Sequence, residues 1–145
     1  MQLYTVQLDT EITMLIYNIY GWTNANCNKE AAARTNSLLQ AALADMALQP
    51  VGPRLIVGDL NSDPHTFQTL QQALDTNQLI DVGSQAQQWQ EVPNDYTCRA
   101  QGTKEPARRD YLFATPVAYN QITHFQVQHG IGFDVHDPLQ FNITI

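Results

Sequence analysis

The chain has 145 residues, of which 43% are apolar, and its formal net charge is −7. This length suits one domain, which we expect to span residues 1–145. No apolar run reaches the roughly 20 residues of a membrane span, and the amino terminus lacks the pattern of a signal peptide. The sequence therefore predicts a soluble intracellular protein with no membrane partner. The acidic balance also disfavours tight nonspecific binding of nucleic acid, for which proteins use a basic face.

The first half of the chain predicts strands and helices in alternation. A β-branched and aromatic run over residues 12–20 predicts a strand buried on both faces, which pairs with a shorter strand before it. A helical period begins after Asn28, which suits an N-cap. We predict strands at residues 4–8, 12–20 and 54–58, and helices at residues 29–48 and 65–76.

From residue 77 onward, the pattern changes to short apolar runs separated by turn-forming residues. We predict strands at residues 79–82, 111–114, 122–128 and 139–145, with loops at residues 85–90 and 101–107. Helices come early and strands come late. This order predicts a layered α/β fold of the α+β type with a mixed sheet.

The first candidate site follows the strand at residues 54–58, in the run Leu55-Ile-Val-Gly-Asp-Leu-Asn-Ser-Asp-Pro64. Asp59 and Asn61 are two positions apart at the end of that strand, so their side chains should point the same way. A carboxylate beside an amide suits a hydrolytic site, because one can orient a water and the other can donate to a phosphate oxygen. A simple Asp/Asn turn after a strand explains the same pattern equally well.

Two later motifs carry further polar groups. Asp110 opens an otherwise apolar strand in Arg108-Arg-Asp-Tyr-Leu-Phe113, and aspartate is rarely buried unless it is paired. His136 lies in Asp134-Val-His-Asp-Pro138, where its acidic neighbours should raise its pKa and favour the imidazolium. Considered singly, a solvent-facing aspartate and a surface histidine are the simpler interpretations.

Taken together and in this order, the motifs resemble the carboxy-terminal signatures of the endonuclease/exonuclease/phosphatase superfamily. The Gly-Asp-Leu-Asn run, the Arg-x-Asp-Tyr-x-Phe strand and the terminal His-x-Pro are similar to three of those signatures. Asn18-Ile-Tyr20 resembles the family's Asn-Val-Tyr strand, and Tyr96-Thr97 resembles its Tyr-Thr pair. The Tyr-Gly-Trp, Arg-Arg-Asp-Tyr and Val-His features are also similar to retrotransposon-type endonuclease domains.

The resemblance implies a fold that is part of the four-layer α/β sandwich of the DNase I-like proteins. We expect one sheet and part of a second, with the helices on one face. Half of a sandwich exposes the sheet face that the other half would cover. We therefore expect a missing amino-terminal segment, or self-association through that exposed face.

The resemblance also implies site residues and their roles. Asp59 orients or deprotonates the attacking water, and Asn61 helps to hold that water against the phosphate. His136 donates to a nonbridging phosphate oxygen, and Asp110 fixes the orientation of its ring. Tyr20 lies near the phosphate. Mg²⁺ or Mn²⁺ neutralises the phosphate charge.

Two departures from the family pattern concern the metal. The family has an aspartate, often a metal ligand, at the position of Val135, so Asp134 or Asp137 would have to substitute for it. The family's metal-binding glutamate and asparagine lie upstream of the tyrosine strand, where Glu11 has no matching context. We therefore expect weak or absent metal binding, in a chain that is either the carboxy-terminal part of a longer domain or a degenerate relative.

The implied function is divalent-metal-dependent phosphodiester hydrolysis in the parent domain, with a nuclease favoured. The expected partner is nucleic acid or another phosphodiester. Two alternatives stay open: a non-catalytic domain that keeps the fold, and a phosphomonoesterase or lipid phosphodiesterase.

Overall fold

The computed structural model describes residues 1–99 and 105–144, in which five strands form one sheet and two strands form another. The elements in chain order are β1 (Gln2–Gln7), β2 (Thr13–Asn18), α1 (Lys29–Leu48), β3 (Arg54–Asp59), α2 (Gln68–Asp75), β4 (Ile80–Asp81), β5 (Asp110–Ala114), α3 (Pro116–Tyr119), β6 (Ile122–Val127) and β7 (Leu139–Ile143). Two 3₁₀ segments lie at Pro64–Thr66 and Val82–Trp89. The predicted α+β class is confirmed.

The large sheet is mixed, with the strand order β1-β2-β3-β5-β4. β2 and β3 are parallel, and α1 makes the crossover between them that a parallel pair requires. The other neighbouring strands in this sheet are antiparallel. The register of β3 on β5 places Asp59 opposite Asp110.

The two faces of the large sheet bury different layers. Side chains alternate along a strand, so Tyr17 of β2 packs with α1 and α2 while Met14 packs on the opposite face. That opposite face carries β6, β7 and the 3₁₀ segment Val82–Trp89, with Phe125 buried between the layers. The predicted arrangement therefore holds for α1 and α2. The one-turn helix α3 is the exception, because its buried Ala118 packs on the second face.

Helix α1 has the bounds that its sequence predicts. The side chain of Asn28 accepts hydrogen bonds from the backbone N–H groups of Glu30 and Ala31, at 2.9 and 3.0 Å, which satisfies two donors of the first turn. Its buried stripe includes Leu39, Ala42 and Met46. None of the helices in the described ranges is long and apolar enough to cross a membrane.

The prediction of a loop at residues 85–90 was wrong. Residues 85–89 belong to the 3₁₀ segment Val82–Trp89, and Gln90 caps its end. Hydrogen bonds between Ser84 and Asp81 close its first turn. Val82 and Ala86 are fully buried in this segment. The glutamines of the segment, Gln85, Gln87 and Gln88, are exposed, and this polar composition hides the buried apolar positions from a reading of the sequence.

Two other boundaries differ from prediction. The helix expected at residues 65–76 is interrupted at Phe67, which is extended and buried, so a short 3₁₀ segment precedes α2. The last strand ends at Ile143, and Ile145 lies outside the described residues. Most of the predicted loop at 101–107 also lies outside them, although Ala107 forms a bridge with Cys98.

Candidate active site

Three of the predicted residues meet where two neighbouring inner strands of the large sheet, β3 and β5, have adjacent ends. Asp59 ends β3 and Asp110 begins β5, so the antiparallel register sets them side by side. His136 lies in the segment before β7, with its ring Nδ1 2.7 Å from Asp110 Oδ2 and its Nε2 3.7 Å from Asp59 Oδ2. One potential ligand atom from each residue lies within 4.8 Å of the others. This Asp59–Asp110–His136 group forms the candidate active site.

Thr97 holds Asp110 in place through hydrogen bonds. Its side chain is fully buried, and its hydroxyl donates to Asp110 Oδ2 at 2.7 Å. The same hydroxyl accepts from the backbone N–H groups of Arg109 and Asp110, each at 3.0 Å. Asp110 is therefore fixed by two donors, the threonine and the histidine, which sets the orientation of the ring. The Tyr-Thr motif marked Thr97 in the sequence, but nothing local indicated that it supports Asp110.

The environment shifts the pKa values of two members of the group. Burial raises the pKa of Asp59 above 3.8 and the charge of Asp110 adds to this, although the hydrogen bond from the Asn61 N–H opposes it. Burial lowers the pKa of His136, but the hydrogen bond to Asp110 and the charges of Asp110, Asp59 and Asp137 raise it above 6.5 overall. The pKa values of the Asp59 carboxylate and the His136 imidazole are therefore both raised, Asp59 chiefly by burial and His136 by its carboxylate neighbours.

Asn61 does not point as the strand pattern predicts. β3 ends at Asp59, and Asn61 adopts a left-handed conformation with φ of 53°. Its backbone N–H donates to Asp59 Oδ1 at 2.8 Å, and its side-chain amide donates to the carbonyl of Gly21 at 2.9 Å. Asparagine tolerates this backbone conformation better than most residues do. Asn61 therefore lies in a turn, and its backbone N–H holds the Asp59 carboxylate. The role of Asn61 in holding the water remains a prediction.

Tyr20 lies on the segment that runs beside Asp59. The N–H of the next residue, Gly21, donates to the carbonyl of Asp59 at 2.6 Å, and Ile19 bonds to Val57 in the same way at 2.8 Å. The Tyr20 side chain is exposed, with 68% of its surface accessible. Its contact with a phosphate remains a prediction.

The two predicted metal ligands lie outside the group. Asp137 Oδ2 is 2.7 Å from Nδ1 of His129, and the second ring nitrogen of His129 is 2.7 Å from Asp95 Oδ2. Asp134 lies in the exposed part of the same loop. A metal-binding role for Asp134 or Asp137 stays a prediction. His129 thus contacts two carboxylates. The sequence did not predict this arrangement, because Asp95 is 34 positions away from His129.

An apolar cleft of about 620 Å³ extends from the group between the two sheets. Asp110 and His136 line one part of it, and the rest is largely aliphatic and aromatic. Ile16 and Val57 on this face of the large sheet are only partly buried. The exposure of a sheet face and self-association through it both remain predictions.

The group offers few oxygens to a cation. Asp110 Oδ2 already accepts two hydrogen bonds, and Asp59 Oδ1 accepts one. That leaves Asp59 Oδ2, which faces His136, and Asp110 Oδ1. Mg²⁺ is commonly held by one or two carboxylates together with waters and substrate phosphate oxygens. The donor set fits a cation shared with a phosphate, and it does not make a closed protein cage.

Solved structures of other proteins have the same fold. The 3′-5′ exonuclease NExo from Neisseria meningitidis superposes with a TM-score of 0.70 at 15% identity, covering 92% of this chain and 62% of that one. The TRAS1 endonuclease domain, from a telomere-specific non-LTR retrotransposon, gives 0.64 at 15%, covering 99% and 63%. The mannosyl-6-phosphatase Bt3783 from Bacteroides thetaiotaomicron gives 0.60 at 16%, covering 94% and 53%.

At this level of identity the likenesses show the fold. The chain has the endonuclease/exonuclease/phosphatase fold, as the motifs predicted, and it spans between 53% and 63% of the lengths of these three proteins. No family model matches the sequence, and neither does any curated protein.

Proposed function

We propose that the Asp59–Asp110–His136 group is the centre of a divalent-metal-dependent phosphodiesterase, with nucleic acid as its substrate class. One observation carries the proposal: His136, oriented by Asp110, presents Nε2 at 3.7 Å from Asp59 Oδ2. A phosphate and a water bound here would lie beside a hydrogen-bond donor, His136, and a proton acceptor, Asp59.

Each residue of the group then has a distinct role. Asp59 accepts a proton from the attacking water, and the burial that raises its pKa makes it a stronger base than a free aspartate. The imidazolium of His136 donates from Nε2 to a nonbridging phosphate oxygen, where charge develops in the transition state. Asp110 holds the ring through Nδ1, and Thr97 holds Asp110.

The hydrolysis itself follows from these roles. A bond forms between the water oxygen and phosphorus, and the bond from phosphorus to the leaving oxygen breaks. The leaving oxygen takes a proton from the solvent. A divalent cation, when bound, supplies neutralisation of the phosphate charge. The carboxylates of Asp59 and Asp110 would hold it, together with water and the phosphate oxygens.

The choice of nucleic acid rests on the structural neighbours. Two of the three similar proteins are named as an exonuclease and an endonuclease. The third is named as a phosphatase, and the net charge of −7 on this chain also suits a small phosphate ester better than a long polyanion. Phosphomonoester hydrolysis is therefore the second candidate, and it uses the same three residues.

The test compares the 145-residue chain with a form extended by the coding sequence upstream of Met1. Supercoiled plasmid and p-nitrophenyl phosphate are each incubated with Mg²⁺ or with a chelator. We expect chelator-sensitive nicking in the extended form, weak nicking by the chain alone, and a loss of about 30- to 1,000-fold in His136→Ala. His124→Ala on β6 is the matched control and should leave nicking unchanged. Cleavage of the monoester alone would favour the phosphatase, and no cleavage in either form would favour a non-catalytic domain.

A further inference from the structure

A second histidine lies close to the candidate active site and is bound on both sides. The ring nitrogens Nδ1 and Nε2 of His129 are each 2.7 Å from a carboxylate oxygen, on Asp137 and Asp95 respectively. An ionised carboxylate only accepts hydrogen bonds, so both ring nitrogens must donate to form these contacts. His129 therefore bridges the two aspartates as an imidazolium, which makes both bonds charge-assisted.

Aromatic stacking holds the same ring in place. The His129 ring is stacked on the ring of Tyr96, with 4.4 Å between the centroids and an interplanar angle of 29°. The guanidinium of Arg99 lies 4.5 Å from the centroid of the Tyr96 ring and donates to the Tyr96 hydroxyl. The bridge is thus built on residues 95–99, the segment that also contains the Thr97 support of Asp110.

The bridge spans the loop that carries His136. Asp137 follows His136 directly, and His129 stands at the other end of the loop, eight positions before Asp137. The part of the loop next to His129 is open. Gly130 and Gly132 have φ values of 73° and 96°, and a Cβ at either would meet nothing within 4 Å.

Two backbone hydrogen bonds reinforce the far end of this loop. The N–H of Asp137 donates to the carbonyl of Thr97 at 2.7 Å, and the N–H of Arg99 donates to the carbonyl of Val135 at 2.9 Å. Val135 and Asp137, which make these bonds, lie on either side of His136 in the chain. A glycine-containing loop has high conformational entropy, so its position depends on how firmly its two ends are tied.

We propose that His129 is a positioning residue: by bridging Asp95 and Asp137 it fixes the 129–137 loop so that His136 keeps its hydrogen bond to Asp110. This inference rests on the proposed function, since that function gives the His136 orientation its importance. His129 itself contacts neither Asp59 nor Asp110 through any hydrogen bond described in the structure, and its effect passes through the loop.

The experiment observes the His136 ring directly, by NMR of the ¹⁵N-labelled chain. In the wild type, we expect a low-field proton on His136 Nδ1, which reports the bond to Asp110. His129→Ala should lose or broaden this signal, because one end of the loop is released. His129→Arg should retain it, since a guanidinium is a planar cation that stacks on tyrosine and donates to both carboxylates.

His124→Ala is the matched control. His124 lies on β6 in the same small sheet, its nearest carboxylate is Glu91 at 3.9 Å, and it lies outside the 129–137 loop. This variant should keep the His136 signal. An unchanged signal in His129→Ala would overturn the inference, and so would an equal loss in His124→Ala.

The inference and the proposed function can fail separately. The NMR measurement needs neither substrate nor cation, so its outcome does not depend on turnover. Loss of the signal in His129→Ala with no nicking by any form would leave the positioning role intact and remove the proposed function. Nicking, together with an unchanged His136 signal in His129→Ala, would keep the proposed function and overturn the positioning role of His129.

Discussion

Arg108 binds Asp81 at two points, with Nη1 2.7 Å from Oδ2 and Nη2 2.5 Å from Oδ1. Both side chains are nearly buried, at 12% and 13% exposure, and the guanidinium lies 4.5 Å from the centroid of the Tyr111 ring. The pair joins the start of the 3₁₀ segment Val82–Trp89 to the residues just before β5. It therefore anchors the chain immediately upstream of Asp110.

Removing Asp81 should destabilise the fold strongly. Asp81→Ala leaves a buried guanidinium without its carboxylate, for which the cost is about 3–5 kcal/mol. Asn94 Oδ1, at 3.1 Å from Arg108, can still accept a hydrogen bond and should keep the loss near the lower end. Urea denaturation measures the free energy of unfolding. The exposed pair Arg34–Glu30 is the control, because Glu30→Ala should cost less than about 1 kcal/mol.

Gly58 permits the close approach of β3 to Ile19, the residue that follows β2. Its φ is 137°, and an added Cβ would lie 1.9 Å from the carbonyl oxygen of Ile19. Gly58→Ala should therefore cost more than about 2 kcal/mol and displace Asp59, as measured by urea denaturation and by NMR shifts around the site. Gly130→Ala separates the two causes. Its φ is also positive but its surroundings are open, so it should cost only about 1 kcal/mol. If Gly58→Ala and Gly130→Ala lowered the free energy of unfolding by the same amount, the backbone at Ile19 could move to accept the added methyl group without cost.

The pKa of His136 should fall when Asp110 loses its charge. The hydrogen bond and the charge of Asp110 raise that pKa in the fold, against the effect of burial. A raised histidine pKa contributes stability that is fully present below the unfolded value of about 6.5 and is lost as the pH rises through the folded value. Asp110→Asn should therefore lower the NMR titration midpoint of His136 and reduce the loss of stability above about pH 6.5.

His129 serves as the internal reference in that titration. Burial lowers its pKa, but its bonds to Asp95 and Asp137 raise it overall, and neither bond involves Asp110. Its midpoint should stay the same in Asp110→Asn. If the His136 midpoint also stayed the same, the 2.7 Å contact between His136 and Asp110 would not govern its protonation.

Magnesium alone should bind the chain too weakly to saturate at ordinary millimolar concentrations. Two of the four carboxylate oxygens of the group, Asp59 Oδ1 and Asp110 Oδ2, already accept hydrogen bonds, and Asp59 Oδ2 lies 3.7 Å from His136 Nε2. Two carboxylates without further protein ligands hold Mg²⁺ only weakly. Isothermal titration calorimetry of the chain with MgCl₂ checks this, and Asp59→Asn should abolish the residual heat. A tight stoichiometric site would point to Asp134 or Asp137 as ligands.

The local elements of this protein were predictable from sequence. α1 begins and ends where its cap and its apolar period predict, because both signals act within a few residues. The apolar runs gave β3 and β5, and the order of the motifs identified the fold and the three residues of the candidate site. The apolar stripe of Val82–Trp89 was missed, since its packing partners lie on other elements.

Only the tertiary structure decided how these residues combine. Asp59 meets Asp110 because β3 and β5 pair antiparallel, and His136 reaches both from a loop 26 positions after Asp110. Asn61 turns away from the strand pattern because β3 ends at Asp59. The bridge made by His129 depends on carboxylates that the fold brings together from two segments. Periodicity in a sequence reports which face of an element is buried, whereas contacts between distant segments depend on strand order and register.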